Sequence, residues 1–87
     1  MDGLNKVLGE QASKLKSNNP LESAAAAEKI ASQAKNVFGD HVDAKMVEKY
    51  KDLFIQMAEG GEAGEAAFRE FSKLSFEEYL KMPNLTE

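Results

Sequence analysis

The apolar residues of this chain recur at spacings of three and four along almost its whole length, and no useful stretch alternates with a period of two. Such spacing is typical of amphipathic helices, which turn one apolar stripe towards a core. The pattern predicts an all-α fold in a single domain over residues 1–87. We expect a compact bundle of four helices, followed by a short fifth helix at the C-terminal end.

The first half of the chain predicts two helices separated by a polar stop. The first helix is expected over residues 4–16, and the polar stretch 17–19 ends it. Asn19 is then placed to cap the second helix, Pro20 fits its first position and Gly39 ends it. The apolar face of this second helix is rich in alanine, which allows another helix to approach closely.

The second half predicts two longer amphipathic segments. A third helix is expected to start at Asp40, to run to about Glu59 and to end at two glycines, and a fourth helix covers about residues 62–74. The expected core faces of these two helices consist of apolar residues at helical spacing: Val47, Tyr50, Phe54, Met57, Ala67, Phe68, Phe71 and Leu74.

Ser75 decides how the chain continues after the fourth helix. Ser75 and Glu78 have the spacing of a capping box, so a short fifth helix is expected from Phe76 to Met82. The alternative is one continuous helix through Ser75, because the apolar residues before and after it also lie on one side of a single cylinder.

The formal net charge of −4 is unevenly distributed. Residues 1–38 hold five Lys and four acids, or +1, whereas residues 39–87 hold six Lys or Arg and eleven acids, or −5. An acidic second half disfavours direct nucleic-acid binding, because the phosphates would be repelled, and it would suit a basic protein surface. Glu65 and Arg69 are expected to form an ordinary i,i+4 surface pair.

Composition removes several classes of protein from consideration. The chain has no cysteine, which excludes disulfides and thiolate metal sites. The N-terminal residues lack the apolar segment of a signal peptide, and no apolar run approaches the roughly 20 residues that span a bilayer. We therefore expect a cytoplasmic protein that does not contact a membrane.

The single histidine, His41, is the starting point for any catalytic or metal-binding hypothesis. With Asp40, Asp43 and a distant carboxylate it would supply part of a metal site, but a zinc site with one His and no Cys is uncommon. The simpler interpretation is that Asp40 caps a helix and His41 is a solvated residue of its first turn. Without a second base, a nucleophile elbow or a phosphate-binding loop, we expect neither enzymatic activity nor a cofactor.

Ile55 is the apolar residue that does not fit its helix. It lies about 140° from the centre of the apolar stripe of the third helix, among the polar residues Glu48, Asp52 and Glu59. Ile55 is either incidental, or packed against the first helix, or the contact point of a partner whose basic surface the three acids attract. These four residues are the candidate partner-binding residues.

The sequence thus favours a small non-enzymatic protein-interaction module, with self-association left open. One alternative resembles phage- or plasmid-type antagonists in size and charge only: a small acidic inhibitor that blocks the basic nucleic-acid-binding surface of a target protein. A second alternative is a metal-dependent enzyme or metal-binding protein built on His41 and its neighbouring aspartates.

Overall fold

The computed structural model describes residues 2–81, and five α-helices make up most of that range. The helices are α1 (Asp2–Leu15), α2 (Pro20–Phe38), α3 (Ala44–Lys49), α4 (Lys51–Glu59) and α5 (Gly61–Lys81). The described residues contain no strand, so the predicted all-α fold is confirmed. The predicted end of a helix at Met82 lies outside the described residues.

Both ends of α2 follow from local chemistry that is visible in the sequence. The side-chain oxygen of Asn19 accepts a hydrogen bond from the backbone N–H of Leu21 at 3.0 Å, and Pro20 is the first helical residue. Gly39 follows the last residue with a φ of 126°, a conformation that L side chains rarely adopt. A Cβ at Gly39 would also lie 2.8 Å from the ring of His41. The predicted limits of this helix are confirmed.

The predicted third helix is wrong at its start and in its continuity. Asp43, and not Asp40, is the cap: its Oδ1 accepts a hydrogen bond from the backbone N–H of Met46 at 3.0 Å, and α3 begins at Ala44. Tyr50, with φ −111° and ψ 34°, leaves the helical conformation and separates α3 from α4. The sequence has no glycine or proline at this break, and its apolar spacing continues through Tyr50 unchanged.

The predicted separate helix after Ser75 is also wrong, and the continuous alternative is the observed structure. The Ser75 hydroxyl is buried and donates to the carbonyl oxygen of Ser72 at 3.1 Å, three residues back. A capping serine would instead accept a hydrogen bond from a backbone N–H further along the chain. The helix α5 therefore runs unbroken through this position to Lys81.

The helices pack mainly on their neighbours in sequence. The α1 helix contacts α2, α2 contacts α3 and α4 contacts α5, while α1 also reaches across to α4. Two glycines with positive φ, Gly60 and Gly61, make the tight turn between α4 and α5. Gly64 then allows the start of α5 to approach α4 closely, because a Cβ there would lie 3.2 Å from the backbone oxygen of Gln56. The result is a compact bundle.

Phe71 lies at the centre of the core. Its ring makes edge-on contacts with Phe38, Phe54 and Tyr50, at centroid distances of 4.7, 4.6 and 5.7 Å. These rings bring together α2, α4, α5 and the residue between α3 and α4. The largest fully buried side chains come from all five helices and from the loop before α3: Phe54, Phe71, Leu8, Leu15, Ile30, Val42 and Val47.

Candidate functional site

The patch predicted around Ile55 is only partly a free surface. Ile55 is half-buried and packs against the core, and its helix α4 contacts both α1 and α5. Glu48, Asp52 and Glu59 are all exposed, but Glu48 belongs to α3, which ends before the break at Tyr50. The three carboxylates therefore remain available to a partner, whereas the apolar side chain between them is largely used in packing.

His41 is not the solvated helix residue that its position suggests. It lies in the loop before α3, is half-buried, and places its Nε2 2.9 Å from the backbone oxygen of Ser75 in α5. Because a carbonyl oxygen only accepts hydrogen bonds, Nε2 carries the proton in this contact. The ring also packs against Tyr79, at a centroid distance of 5.1 Å. The histidine thus ties the loop to α5.

The metal hypothesis finds no support in the positions of these side chains. Within residues 2–81, no three side chains of His, Cys, Asp or Glu lie close enough together to hold an ion. Asp43 is engaged as a helix cap and His41 binds a backbone oxygen, so the proposed ligands act in local structure.

Within residues 2–81, most of the strongly exposed large apolar side chains lie at the C-terminal end of α5. The side chains of Phe76 and Leu80 are each 59% exposed and that of Tyr79 is 41% exposed. Leu21, at the start of α2, is the other large apolar side chain that is strongly exposed within the described range. Single exposed residues are common, but three within one and a half turns of a helix form a patch.

Two cations extend this patch towards the start of α5. Arg69, Lys73, Phe76 and Leu80 follow one another at spacings of four, three and four, which places them along one outward line of the helix. We call this line the α5 seam. Phe71, on the buried side of the same helix, faces the opposite way.

A shallow groove runs beside the α5 seam and leads to a deeper cleft. The groove is lined by Phe68, Arg69, Ser72, Lys73 and Phe76. The cleft has a volume of about 330 Å³ and lies between α1, α4 and the first turns of α5. Its apolar floor consists of Leu4, Leu8, Met57 and Phe68, and its polar rim consists of Asn5, Glu65 and Arg69. Phe68 and Arg69 line both depressions.

The two cations of the α5 seam are not engaged by carboxylates. Among the side chains that the structure describes, Lys49 and Glu78 form the one ion pair within 4.0 Å. The expected pair between Glu65 and Arg69 is therefore absent. A hydrogen bond from Lys49 holds the pKa of Glu78 below its usual value, assisted by a second from the Tyr50 hydroxyl. Arg69 and Lys73 have no such partner.

The sequence contained the signal for the α5 seam, although the capping-box spacing of Ser75 and Glu78 placed Phe76 at a helix start. The i, i+4, i+7, i+11 line from Arg69 to Leu80 is visible once Ser75 is treated as an interior helical residue. That line presents two apolar side chains and two cations.

Comparison with known proteins found no matching family model, no matching curated protein and no matching solved structure. Among the helices described for residues 2–81, none combines the length and the apolar character that crossing a membrane requires.

Proposed function

We propose that this protein is a small non-enzymatic interaction module that binds another protein through the exposed end of α5. The observation that carries this proposal is the exposure of Phe76, Tyr79 and Leu80 on one helix end. Aromatic residues are enriched at protein interfaces, and tyrosine is enriched among the few residues that carry most of the binding energy.

Energetics support a binding role for these side chains. Burying one Phe or Leu side chain fully is worth roughly 1.5–3 kcal/mol, and at Phe76 and Leu80 most of that gain remains unused in the isolated chain. A partner that covers both would recover it. Neither residue is needed for the core, since the opposite side of α5 supplies Phe71 and Ala67 to the interior.

The same helix is anchored to the rest of the fold by contacts on its buried side and near its C-terminal end. Its buried side packs on α4, His41 binds the backbone of Ser75, and Glu78 accepts hydrogen bonds from Lys49 and Tyr50. These contacts anchor the turns that carry Phe76 and Leu80. A surface that is ordered before binding loses less conformational entropy on association.

The inhibitor hypothesis, in which the protein blocks a basic nucleic-acid-binding surface, remains a prediction. Its three carboxylates, on Glu48, Asp52 and Glu59, are exposed, but the apolar anchor Ile55 is half-buried. Self-association is a further form of the same interaction function. Sedimentation, which measures molecular mass, distinguishes it from binding to a different protein.

Site-specific photocrosslinking tests the proposed function. We expect a photoreactive phenylalanine analogue at position 76, in the full chain expressed in its native cell, to form a covalent adduct with one protein. The same analogue at position 21 is the matched control, because Leu21 is 82% exposed but stands alone at the start of α2. Equal adducts from both positions, or no protein adduct from position 76, would contradict the proposal.

A further inference from the structure

We infer that the α5 seam receives an amphipathic helix of another protein, one that carries carboxylates beside large apolar side chains. This inference rests on the proposed function and adds the chemistry of the partner. It follows from the order of residues along the seam, where Arg69 and Lys73 come first and Phe76 and Leu80 follow.

The geometry of the seam suits a helix. Residues at spacings of four, three and four form the line along which one helix packs lengthwise on another. The line from Arg69 to Leu80 covers eleven residue steps, or about 16 Å at 1.5 Å per residue. A partner helix of about three turns spans that length, and its i, i+3, i+4 and i+7 side chains meet the seam.

The charges along the seam set the character of that partner. Arg69 and Lys73 have no carboxylate within 4.0 Å among the described side chains, in contrast to Lys49, which has Glu78. Covering unpaired cations with an apolar surface removes their water without replacing it, which costs free energy. A partner with Asp or Glu opposite these two positions avoids that cost and gains two charge-assisted hydrogen bonds.

Among residues 2–81, the acids of α5 form no ion pair with Arg69 or Lys73. Glu70 and Glu77 are exposed but line neither the groove nor the cleft, whereas Arg69 and Lys73 line the groove together. Glu65 lines the cleft one turn before the seam. The groove therefore presents two positive charges in a chain whose net charge is −4.

A second copy of this chain fits the seam less well than an acidic helix does. A second copy that used the same seam would bring Phe76 and Leu80, but it would also bring two further cations and no carboxylate. The unequal distribution of charge and apolar surface along the seam also defines a direction: the carboxylates of the partner lie over Arg69 and Lys73, and its apolar residues lie over the C-terminal half.

A selection experiment tests the inference without knowledge of the natural partner. A displayed library of amphipathic 14-residue helices, with the positions flanking the apolar stripe randomised among Glu, Lys, Gln and Ser, is selected on the full-length chain. We expect the retained peptides to be enriched in Glu at one end of the stripe. Fluorescence anisotropy should show that Arg69→Glu with Lys73→Glu weakens their binding by at least about tenfold.

Two controls separate charge recognition from a change in fold. Lys6→Glu with Lys51→Glu reverses the same number of charges at exposed residues that do not line the groove, and it should leave peptide affinity unchanged. A peptide with its selected Glu residues changed to Lys should regain affinity for the doubly reversed protein, which a merely unfolded variant would not allow. Far-UV circular dichroism checks that each variant keeps its helix content.

The possible outcomes distinguish the inference from the proposed function. Acidic peptides whose binding is lost in Phe76→Ser and in the charge reversal support both. Basic or uncharged peptides whose binding is lost in Phe76→Ser alone overturn the inference and leave the interaction module standing. If sedimentation shows a dimer that Phe76→Ser abolishes, a second copy covers the seam and the inference is wrong. If no peptide is retained, or Phe76→Ser has no effect on those that are, both proposals fail at this surface.

Discussion

Glu78 connects the end of α5 to the break between α3 and α4. One of its carboxylate oxygens, Oε2, accepts a hydrogen bond from Lys49 Nζ at 2.9 Å and another from the Tyr50 hydroxyl at 3.0 Å. The hydrogen bond to Glu78 raises the pKa of Lys49, and the hydrogen bond from Lys49 lowers the pKa of Glu78. This carboxylate thus links α5 to the last residue of α3 and to the residue between α3 and α4.

These shifts make the contribution of the pair depend on pH. The lowered pKa of Glu78 means that its contribution to stability is complete above its usual value of 4.5 and is lost as the pH falls through the lower folded value. The raised pKa of Lys49 means that its contribution is complete below 10.5 and is lost as the pH rises through the higher folded value. The pair therefore stabilises the fold at neutral pH.

Glu78→Gln tests this pH dependence. Because the substitution removes the titrating charge, we expect a slightly lower urea midpoint than the original chain at pH 7 and a difference that closes towards pH 3. Glu77→Gln is the matched control, since Glu77 is the exposed neighbour without an ion pair among the described side chains. A difference that is the same at both pH values, or that Glu77→Gln reproduces, would argue against the assigned role of Glu78.

At the scale of the elements, two glycines inside helices have opposite surroundings. Gly64 lies in the first turn of α5, where a Cβ would meet the backbone oxygens of Gln56 and Met57 at 3.2 and 3.3 Å. Gly9 lies within α1, and a Cβ there would have no neighbour within 4 Å. The contact between α4 and α5 depends on the first of these glycines, whereas the second only weakens its helix.

Alanine substitution separates these two roles. Gly9→Ala should stabilise the protein by about 1 kcal/mol, the difference in helix propensity between the two residues. Gly64→Ala should destabilise it by up to about 2 kcal/mol, because backbone atoms must move apart and the cost of such crowding, about 1–3 kcal/mol, outweighs the gain in propensity of about 1 kcal/mol. Urea unfolding followed by circular dichroism measures both. Stabilisation by Gly64→Ala would show that α4 and α5 do not approach this closely.

The end of a helix was predictable from the sequence only where residues next to it cause the chain to leave the helical conformation. The start of α2 was predictable because Asn19 and Pro20 act within one turn, and its end because only glycine suits the conformation at position 39. The break at Tyr50 was not, since its contacts with Glu78 and Phe71 come from a helix more than 20 residues away. The helix start predicted at Ser75 was wrong for a similar reason, because tertiary packing buries this residue inside α5.

At the scale of the whole molecule, burial decides what a phenylalanine contributes. Phe71 is fully buried among three aromatic rings, whereas Phe76, five residues later on the same helix, is 59% exposed. We expect Phe71→Ala to lower the free energy of unfolding by about 3–5 kcal/mol. That is a large share of the roughly 4–13 kcal/mol typical of a chain of this length.

Phe76→Ala is the matched control for this prediction and should change the free energy of unfolding by no more than about 0.5 kcal/mol. Thermal or urea unfolding of the two variants measures the difference. A large loss of stability in Phe76→Ala would mean that this side chain is part of the folded core, and the α5 seam would then no longer be a free binding surface.

The candidate site was less predictable than the fold. Helical periodicity identifies which residues share a face, but it does not show which of two apolar faces will find a partner inside the bundle. Ile55 was a candidate contact point for a partner and is half-buried against the core, whereas Phe76 was placed at a helix start and is 59% exposed on the outer side of α5. Both outcomes depend on the arrangement of helices in space.

The packing of each helix on its neighbour in sequence has a kinetic consequence. Three of the main helix–helix contacts join consecutive segments, whereas the contact between α1 and α4 and the contacts of Phe38 and His41 with α5 close longer stretches of chain. Short closures cost little entropy, and chains of this kind fold on the microsecond-to-millisecond scale. The period during which unfolded copies expose their apolar residues to one another is correspondingly brief, which limits the opportunity for aggregation.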